Sequence, residues 1–483
     1  MNVDAAIVSL YVMVLVGMGL RGGRKVKSAA DFTAAGGRYG GWALFASLSS
    51  SYVGGGYSAG NAAEAFRAGI GMTVALCGFG LGTVLIGKFL VPGVGRFRGV
   101  STVGGVLETA FGRPARIAAG FLSFGCCAGM VAAQMTGIGQ VLHVLLGIPP
   151  ARGVLIGVAI VLTYSTFGGL QSVITADIIQ FVLLVIGLPV LLIAALYEAG
   201  GVAAVVNSLP ETHLDITGGR NWLHFAGLTL TLMFGEALAP PYTQRLLVGR
   251  SARETARATV ASGWFSLPIF FVTGALGLCA YALRVTDDPA LAMPSLVLAV
   301  LPVGVRGLVM AAMVSIMLSA ADGFLNSAAI GFVCDGVTPL CPRLTDRAQL
   351  RALRGVNLLT GLAATALALA REDVIELLLI AYTLGSPLLL VPLAAALRGV
   401  RASGRAFFAA LVGGALGAGV WTLVLHDPGR IGGTLAGVAG SAAAFAVARI
   451  LTKEKPDRTR RSGRIRTYGQ SAGNRSPGRR SSQ

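Results

Sequence analysis

The sequence predicts an all-α integral membrane protein of about 13 transmembrane helices. Three observations carry that expectation. Hydrophobic residues make up 54% of the 483 positions and charged residues only 12%, which is outside the composition of soluble domains. Apolar runs recur from residue 4 to residue 450, each approaching the roughly 20 residues that a helix needs to cross a hydrocarbon core of about 30 Å. The chain also has 68 glycines, which weaken helices in water but let helix backbones approach closely in lipid, where packing drives association.

The first run, Ala5 to Leu20, has no basic segment before it and no small-residue cleavage site, so it reads as a retained first span over 4–20. The second, 41–65, holds Leu48-Ser49-Ser50-Ser51-Tyr52-Val53-Gly54-Gly55-Gly56-Tyr57, whose hydroxyls and glycines are poor helix formers, and is expected to unwind there. Runs over 70–92, 117–145, 153–168 and 173–197 give the third to sixth spans. The seventh, 222–244, contains Gly235-Glu236-Ala237-Leu238-Ala239-Pro240-Pro241-Tyr242, in which two adjacent prolines remove two backbone donors and interrupt the ladder. Runs at 259–283, 304–332, 354–370, 374–396, 405–424 and 431–450 complete the thirteen. From Lys453 to Gln483 the chain is too polar to bury a core and reads as a disordered, solvated basic cytoplasmic tail.

With the N-terminus outside, 21 of the 39 basic residues fall in inner loops, 7 in outer segments and 11 from Arg449 onward. That asymmetry favours a cell-membrane protein with its C-terminus in the cytoplasm. It also accounts for the formal charge of +18 without a nucleic-acid surface. The six cysteines have no metal-ligand spacing and read as small packing residues.

The two interruptions lie five spans apart, so they occupy the same place in two five-helix units that enter the membrane from opposite sides. This is the pattern of an inverted-repeat transporter, whose interrupted helices flank the solute and ion sites. Freed carbonyls can coordinate a hard cation, while freed amides and aromatic rings hold a solute. The units are read as 1–40, the first span and a basic loop; 41–198, the first repeat; 222–397, the second repeat; 398–452, two peripheral spans; and 453–483, the tail.

Other functions fit poorly. Gly82-Thr83-Val84-Leu85-Ile86-Gly87-Lys88 has Phe89 where a phosphate-binding loop needs Ser or Thr. The four histidines lie on separate segments with no paired zinc motif, and no Gly-x-Ser-x-Gly turn is present, so no enzyme activity is expected.

The stretch Tyr164-Ser165-Thr166-Phe167-Gly168-Gly169-Leu170-Gln171-Ser172-Val173-Ile174-Thr175-Ala176-Asp177-Ile178-Ile179-Gln180 resembles the signature of the sodium:solute symporter family. Asp31-Phe32 with Gly36-Gly37-Arg38, Gln244-Arg245, and Ser319-Ala320-Ala321-Asp322 with Asn326-Ser327 agree with it. The resemblance implies a leucine-transporter-like 5+5 inverted-repeat core. It also implies a Na⁺ ion held by the carbonyls of Ser50, Val53 and Ile316 and the Ser319 hydroxyl, a set of oxygen ligands that suits a hard cation. Ala320 stands where family members usually have a second hydroxyl. The run from Ser51 to Tyr57, followed by Ala63-Glu64-Ala65, is similar to the high-affinity choline transporter-like members, which place tryptophans where Tyr52, Met130 and Ala239 stand here.

Ionisable groups inside apolar spans are functional candidates by default, since each costs at least about 2.5 kcal/mol to insert. Asp177 reads either as a Na⁺ ligand or as a cap, with Thr175, or polar contact at the cytoplasmic start of the sixth span. Asp322 reads either as a Na⁺ ligand or as a local hydrogen-bond partner of Asn326 or a serine. Glu236 lies beside the second break, and Glu64 has Arg67 one turn away. The solute site is expected at Tyr52, Gly55, Tyr57, Met130, Glu236, Ala239 and Tyr242. The expected activity is Na⁺-coupled symport of a small organic solute, choline-like amine, amino acid or carboxylate, by alternating access. An H⁺-coupled or ion-independent carrier and a transporter-like sensor remain alternatives. The partners are the solute, Na⁺ and the lipid bilayer, with no organic cofactor, no nucleic acid and no required oligomer.

Overall fold

Helix α1 (Val3–Gly23) begins with a fully buried carboxylate: Asp4 accepts from the Gly304 and Gly307 amides, at 2.7 and 3.1 Å, and pairs with Arg306. An acid at the exposed amides of a helix start is favourable, and it fastens α1 to the entry of the central helix. The computed structural model describes residues 3–33, 39–371, 373–428 and 431–452. The basic tail over 453–483 and the Gly36-Gly37-Arg38 motif lie outside the described residues.

The second span is two half-helices, α2 (Gly41–Tyr52) and α3 (Asn61–Ala68), separated at Val53–Gly55 and joined by one wide turn over Gly56–Gly60. Then come α4 (Gly71–Phe89), α5 (Arg113–Leu146) and α6 (Pro150–Glu198). The seventh span is also split, into α7 (Trp222–Gly235) and α8 (Pro240–Leu247), which meet at 45°. Helices α9 (Ala252–Ala282), α10 (Val305–Ile330), α11 (Asp346–Ala370), α12 (Val374–Leu397), α13 (Gly404–Gly419) and α14 (Gly433–Leu451) follow. Among the described residues nine helices are long and apolar enough to cross a membrane, or eleven with each of two bent pairs taken as one span.

Helix α6 runs for 49 residues, about 74 Å at 1.5 Å per residue and more than twice a hydrocarbon core, so it cannot be one crossing. It reverses at Gly169, where φ is 59° and ψ is −171°. The fifth and sixth predicted spans are its two arms. The backbone at Gly169 needs glycine twice over, because a Cβ there would also lie 2.6 Å from the Phe32 carbonyl oxygen. With this division and the broken α2–α3 span, each of the thirteen expected spans coincides with a helical segment.

Helix α10 is the centre of the bundle: 94% of its spanning window, extended to Leu340, is buried, against 28% for α1. It packs on α5, α6 and α1. Outward faces carry exposed Leu10, Met13, Ile193 and Leu423, as expected where lipid is the solvent.

Gly169→Val should sharply lower the thermal stability of detergent-solubilised protein, since positive φ alone costs a branched residue about 1–2 kcal/mol and the Phe32 backbone blocks its side chain. Fluorescence-detected unfolding and size-exclusion profiles test this, with Gly17→Val, which meets nothing within 4 Å, as the comparison.

Candidate functional site

A helix that unwinds inside a bilayer must find other partners for its backbone. At the first break Val53 leaves the helix (φ −89°, ψ 46°), and the Gly55 amide donates to Gln134 Oε1 of α5 at 2.6 Å. The Gly54 carbonyl accepts from the Ser58 amide and hydroxyl, both at 2.9 Å. The Tyr57 carbonyl accepts from the Thr273 hydroxyl of α9 at 3.1 Å. Asn61 then bridges α9 and α4 through Phe270, Thr273 and Thr73. Gly54 faces α10 so closely that a Cβ would lie 2.9 Å from the Ala320 methyl. At the second break the interruption is Glu236–Ala239, and Pro240 and Pro241 occupy the first turn of α8, where missing amide donors cost nothing.

On one side of the first break lies a hydroxyl and carboxylate cluster. The Ser319 hydroxyl of α10 donates to Asp177 Oδ1 at 2.6 Å and lies 3.0 Å from Ser50 Oγ and 3.4 Å from Ser51 Oγ. Asp177 Oδ2 also accepts from Ser47, and from Arg245 Nη2 at 3.0 Å. Arg245 and Asp177 are both fully buried. The guanidinium further reaches Ser47 Oγ, Ser51 Oγ and the Pro241 carbonyl, at 2.8, 2.9 and 3.2 Å, and lies against Gly323. It thereby links α2, α6, α8 and α10. Asp322, one turn from Ser319, accepts from the Tyr164 hydroxyl at 2.9 Å, while its Oδ1 has no hydrogen-bond partner among the described residues.

On the other side lies a carboxylate ringed by phenols. Glu236 Oε1 accepts from Tyr242 of α8, Glu236 Oε2 from Tyr382 of α12 at 2.7 Å, and Tyr382 is hydrogen-bonded to Tyr57. Tyr52 meets Tyr242 edge-on with centroids 4.6 Å apart, and Phe79 lies 5.1 Å from Tyr52 and 4.9 Å from Tyr57. Met130 is buried on α5 one turn from Gln134, on the face turned to the break. Ala239 lines a void of about 20 Å³ beside Gly235 and Ser386.

A cavity of about 390 Å³ opens at the membrane face where α3 ends and α6 begins. Its lining includes Gly60, Glu64, Arg67, Asp288, Asp373 and Ile375. Ile375 and Leu378 of α12 close its depth against Gly60 and Gly56, where a Cβ would come within 2.9 and 3.0 Å.

The sequence-predicted residues therefore form two groups. Ser50, Val53, Ser319 and Asp177 share the α2–α10 contact, with Ile316 three residues from Ser319 on a continuous helix and Asp322 one turn the other way. Tyr52, Gly55, Tyr57, Glu236 and Tyr242 gather on the opposite side of the break with Met130 and Ala239. Asp177 is not a cap, because it sits eight residues past Gly169 within α6; it makes the polar contact that was the other half of that alternative, with Arg245, Ser47 and Ser319. Asn326 Nδ2 donates to the Asp322 carbonyl at 3.0 Å, so the Asp322 carboxylate takes Tyr164 as its partner instead. Glu64 pairs with Arg67 as expected, and also with Arg220 at 3.6 Å. Arg245, counted among the inner-loop basic residues, is a correction: it is fully buried as the counter-ion of Asp177. Sequence reasoning also missed Ser47, Gln134 and Tyr382; the signal for Gln134 was an amide within an apolar run.

A sequence model of the sodium:solute symporter family matches residues 32–413. Among curated relatives, the sodium/glucose cotransporter of Vibrio parahaemolyticus is 26% identical over 385 residues, 69% of this chain and 68% of that protein. Solute carrier family 5 member 4 of Rattus norvegicus is 26% identical over 73% of this chain, and the match spans 60% of the rat protein's length. High-affinity choline transporter 1 of Drosophila melanogaster is 29% identical over 51% of this chain and 40% of its own. A solved structure of a Na⁺-coupled sialic acid symporter in a substrate-bound outward-open state superposes with a TM-score of 0.76 at 18% identity, covering 92% of this chain and 98% of that one. A nucleobase-cation-symport-1 family transporter gives a TM-score of 0.57 at 13% identity, covering 86% and 92%. The fold is thus the leucine-transporter-like one that the family resemblance implied.

Asp177→Asn strands the Arg245 charge and should cost about 3–5 kcal/mol of stability. Asp177→Asn with Arg245→Met removes both charges and should recover much of that loss. Thermal unfolding of the two variants against wild type measures the coupling.

Proposed function

The chain belongs to the sodium:solute symporter family, and we propose that it is a secondary active transporter coupling a small organic solute to Na⁺ by alternating access. The observation that carries this reading is the juxtaposition of the unwound Val53–Gly55 segment with Ser319 and Asp177 across the α2–α10 contact. Na⁺ would be held there by the carbonyls of Ser50, Val53 and Ile316 and the Ser319 hydroxyl. Asp177, paired with Arg245, would offer carboxylate oxygen rather than net charge, Asp322 would supply nearby negative charge, and Ala320 adds no hydroxyl. All donors are oxygen, which suits a hard monovalent cation.

Residues 41–198 and 222–397 are read as the two inverted repeats, with 1–40 and 398–452 peripheral and the 453–483 tail in the cytoplasm. The distribution of basic side chains supports an outside N-terminus. In that orientation the 390 Å³ cavity faces outward and reaches Ala59 and Gly60, two and three residues past Tyr57. The solute would bind beside the break, among Tyr52, Gly55, Tyr57, Met130, Glu236, Ala239 and Tyr242.

Coupling follows from geometry. Ion and solute contact opposite sides of one unwound segment, so each favours the same arrangement of α2, α8 and α10, and their binding free energies are linked reciprocally. Ser51 joins the sides directly: its hydroxyl meets Arg245 and Ser319, and its carbonyl lies 3.4 Å from the Tyr242 hydroxyl.

Proteoliposomes with an inward Na⁺ gradient, screened with radiolabelled amines, amino acids, sugars and carboxylates, should accumulate at least one compound only when Na⁺ is present. Ser319→Ala should raise the Na⁺ concentration needed for half-maximal uptake. Uptake indifferent to Na⁺, or unchanged Na⁺ dependence in the variant, contradicts the reading.

A further inference from the structure

We infer that the solute is an organic cation, such as an ammonium or guanidinium compound, and that Glu236 is the counter-charge which selects it. This rests on the transporter reading and names the substrate class of the same site.

Glu236 is buried at the second break, and the groups that face its two oxygens are the neutral phenols of Tyr242, Tyr382 and Tyr57. A carboxylate has about four acceptor positions, so three phenols leave room for one further donor. The basic side chain closest in sequence, Arg245, is committed to Asp177. A buried anion in a membrane core with no cationic partner among the described residues is costly, and a positively charged ligand removes that cost. An anionic solute would instead bring a second negative charge to the first.

The surroundings point the same way. Aromatic faces attract ammonium and guanidinium groups, and Tyr242 and Tyr57, which face the carboxylate, belong to a cluster of rings with Tyr52 and Phe79 whose centroids lie 4.6 to 5.1 Å apart. The approach carries carboxylates as well: Glu64 in the outer cavity is paired with Arg67 and Arg220, and Asp288 and Asp373 line the same cavity. Asp288 and Asp373 cap the helical turns that follow them, and they draw cations toward the closed end.

The test is ligand-induced thermal stabilisation of the purified full-length protein, which needs no ion gradient and so can succeed or fail independently of Na⁺ coupling. The probes are tetramethylammonium, n-butylammonium and n-butylguanidinium, with n-pentanol and butyrate as neutral and anionic counterparts. At least one cation should raise the melting temperature while pentanol and butyrate do not. Glu236→Gln should weaken that cation's apparent affinity about 30-fold or more, as loss of a buried charge partner does. Tyr382→Phe keeps the carboxylate and should keep the preference for cations. Stabilisation by butyrate or pentanol equal to that by every cation, the absence of any cation effect in wild type and Tyr382→Phe, or a cation effect undiminished in Glu236→Gln would overturn the assignment.

Discussion

The unwinding of α2 at Val53–Gly55 is the constraint on which the rest of the structure depends. Backbone donors and acceptors released in a hydrocarbon environment cannot turn to water, so neighbouring helices must supply partners. Gln134 of α5 and Thr273 of α9 do so from two sides, and α10 presses Ala320 against Gly54 on a third. Each contact holds the break open and also fixes the distance between the helices that flank it. The glycines are thus structural requirements of the site as much as weak helix formers.

Around that break the protein divides its buried charge. Arg245 and Asp177 neutralise each other on the α10 side, within a shell of Ser47, Ser51 and Ser319 hydroxyls. Glu236 stands on the other side among phenols. Ser51 belongs to both networks. A ligand that reorients the Tyr242 hydroxyl therefore acts on the residue that also touches the Arg245 guanidinium, and a short polar chain joins the two sites without any wider rearrangement.

Much of this was legible in the residues. Apolar length located the thirteen spans, and poor helix formers in mid-run located both breaks, because helix propensity and missing amides are local properties. The second break lies just before the prolines rather than at them, since proline fits the first turn of a helix. The reversal at Gly169 was readable only as a gap between two spans; its necessity comes from Phe32, 137 positions away in the chain. Pairings between distant segments were not legible for the same reason. Arg245 counts as a loop charge by position and becomes a core counter-ion once α8 packs against α10 and α2 and brings it to Asp177, while Tyr382 looks like one more residue of an apolar helix until α12 meets Glu236.

The central claim is that Na⁺ binding at the α2–α10 contact orders the first break directly and the second through the links of Ser51 to Arg245 and Tyr242 of α8. Hydrogen–deuterium exchange of the purified protein in NaCl against KCl of equal ionic strength tests it most directly. The account predicts slower exchange in Na⁺ at residues 53–58 and 236–243, with the peripheral helices α13 and α14 unchanged. Equal exchange of both breaks in the two salts would contradict it.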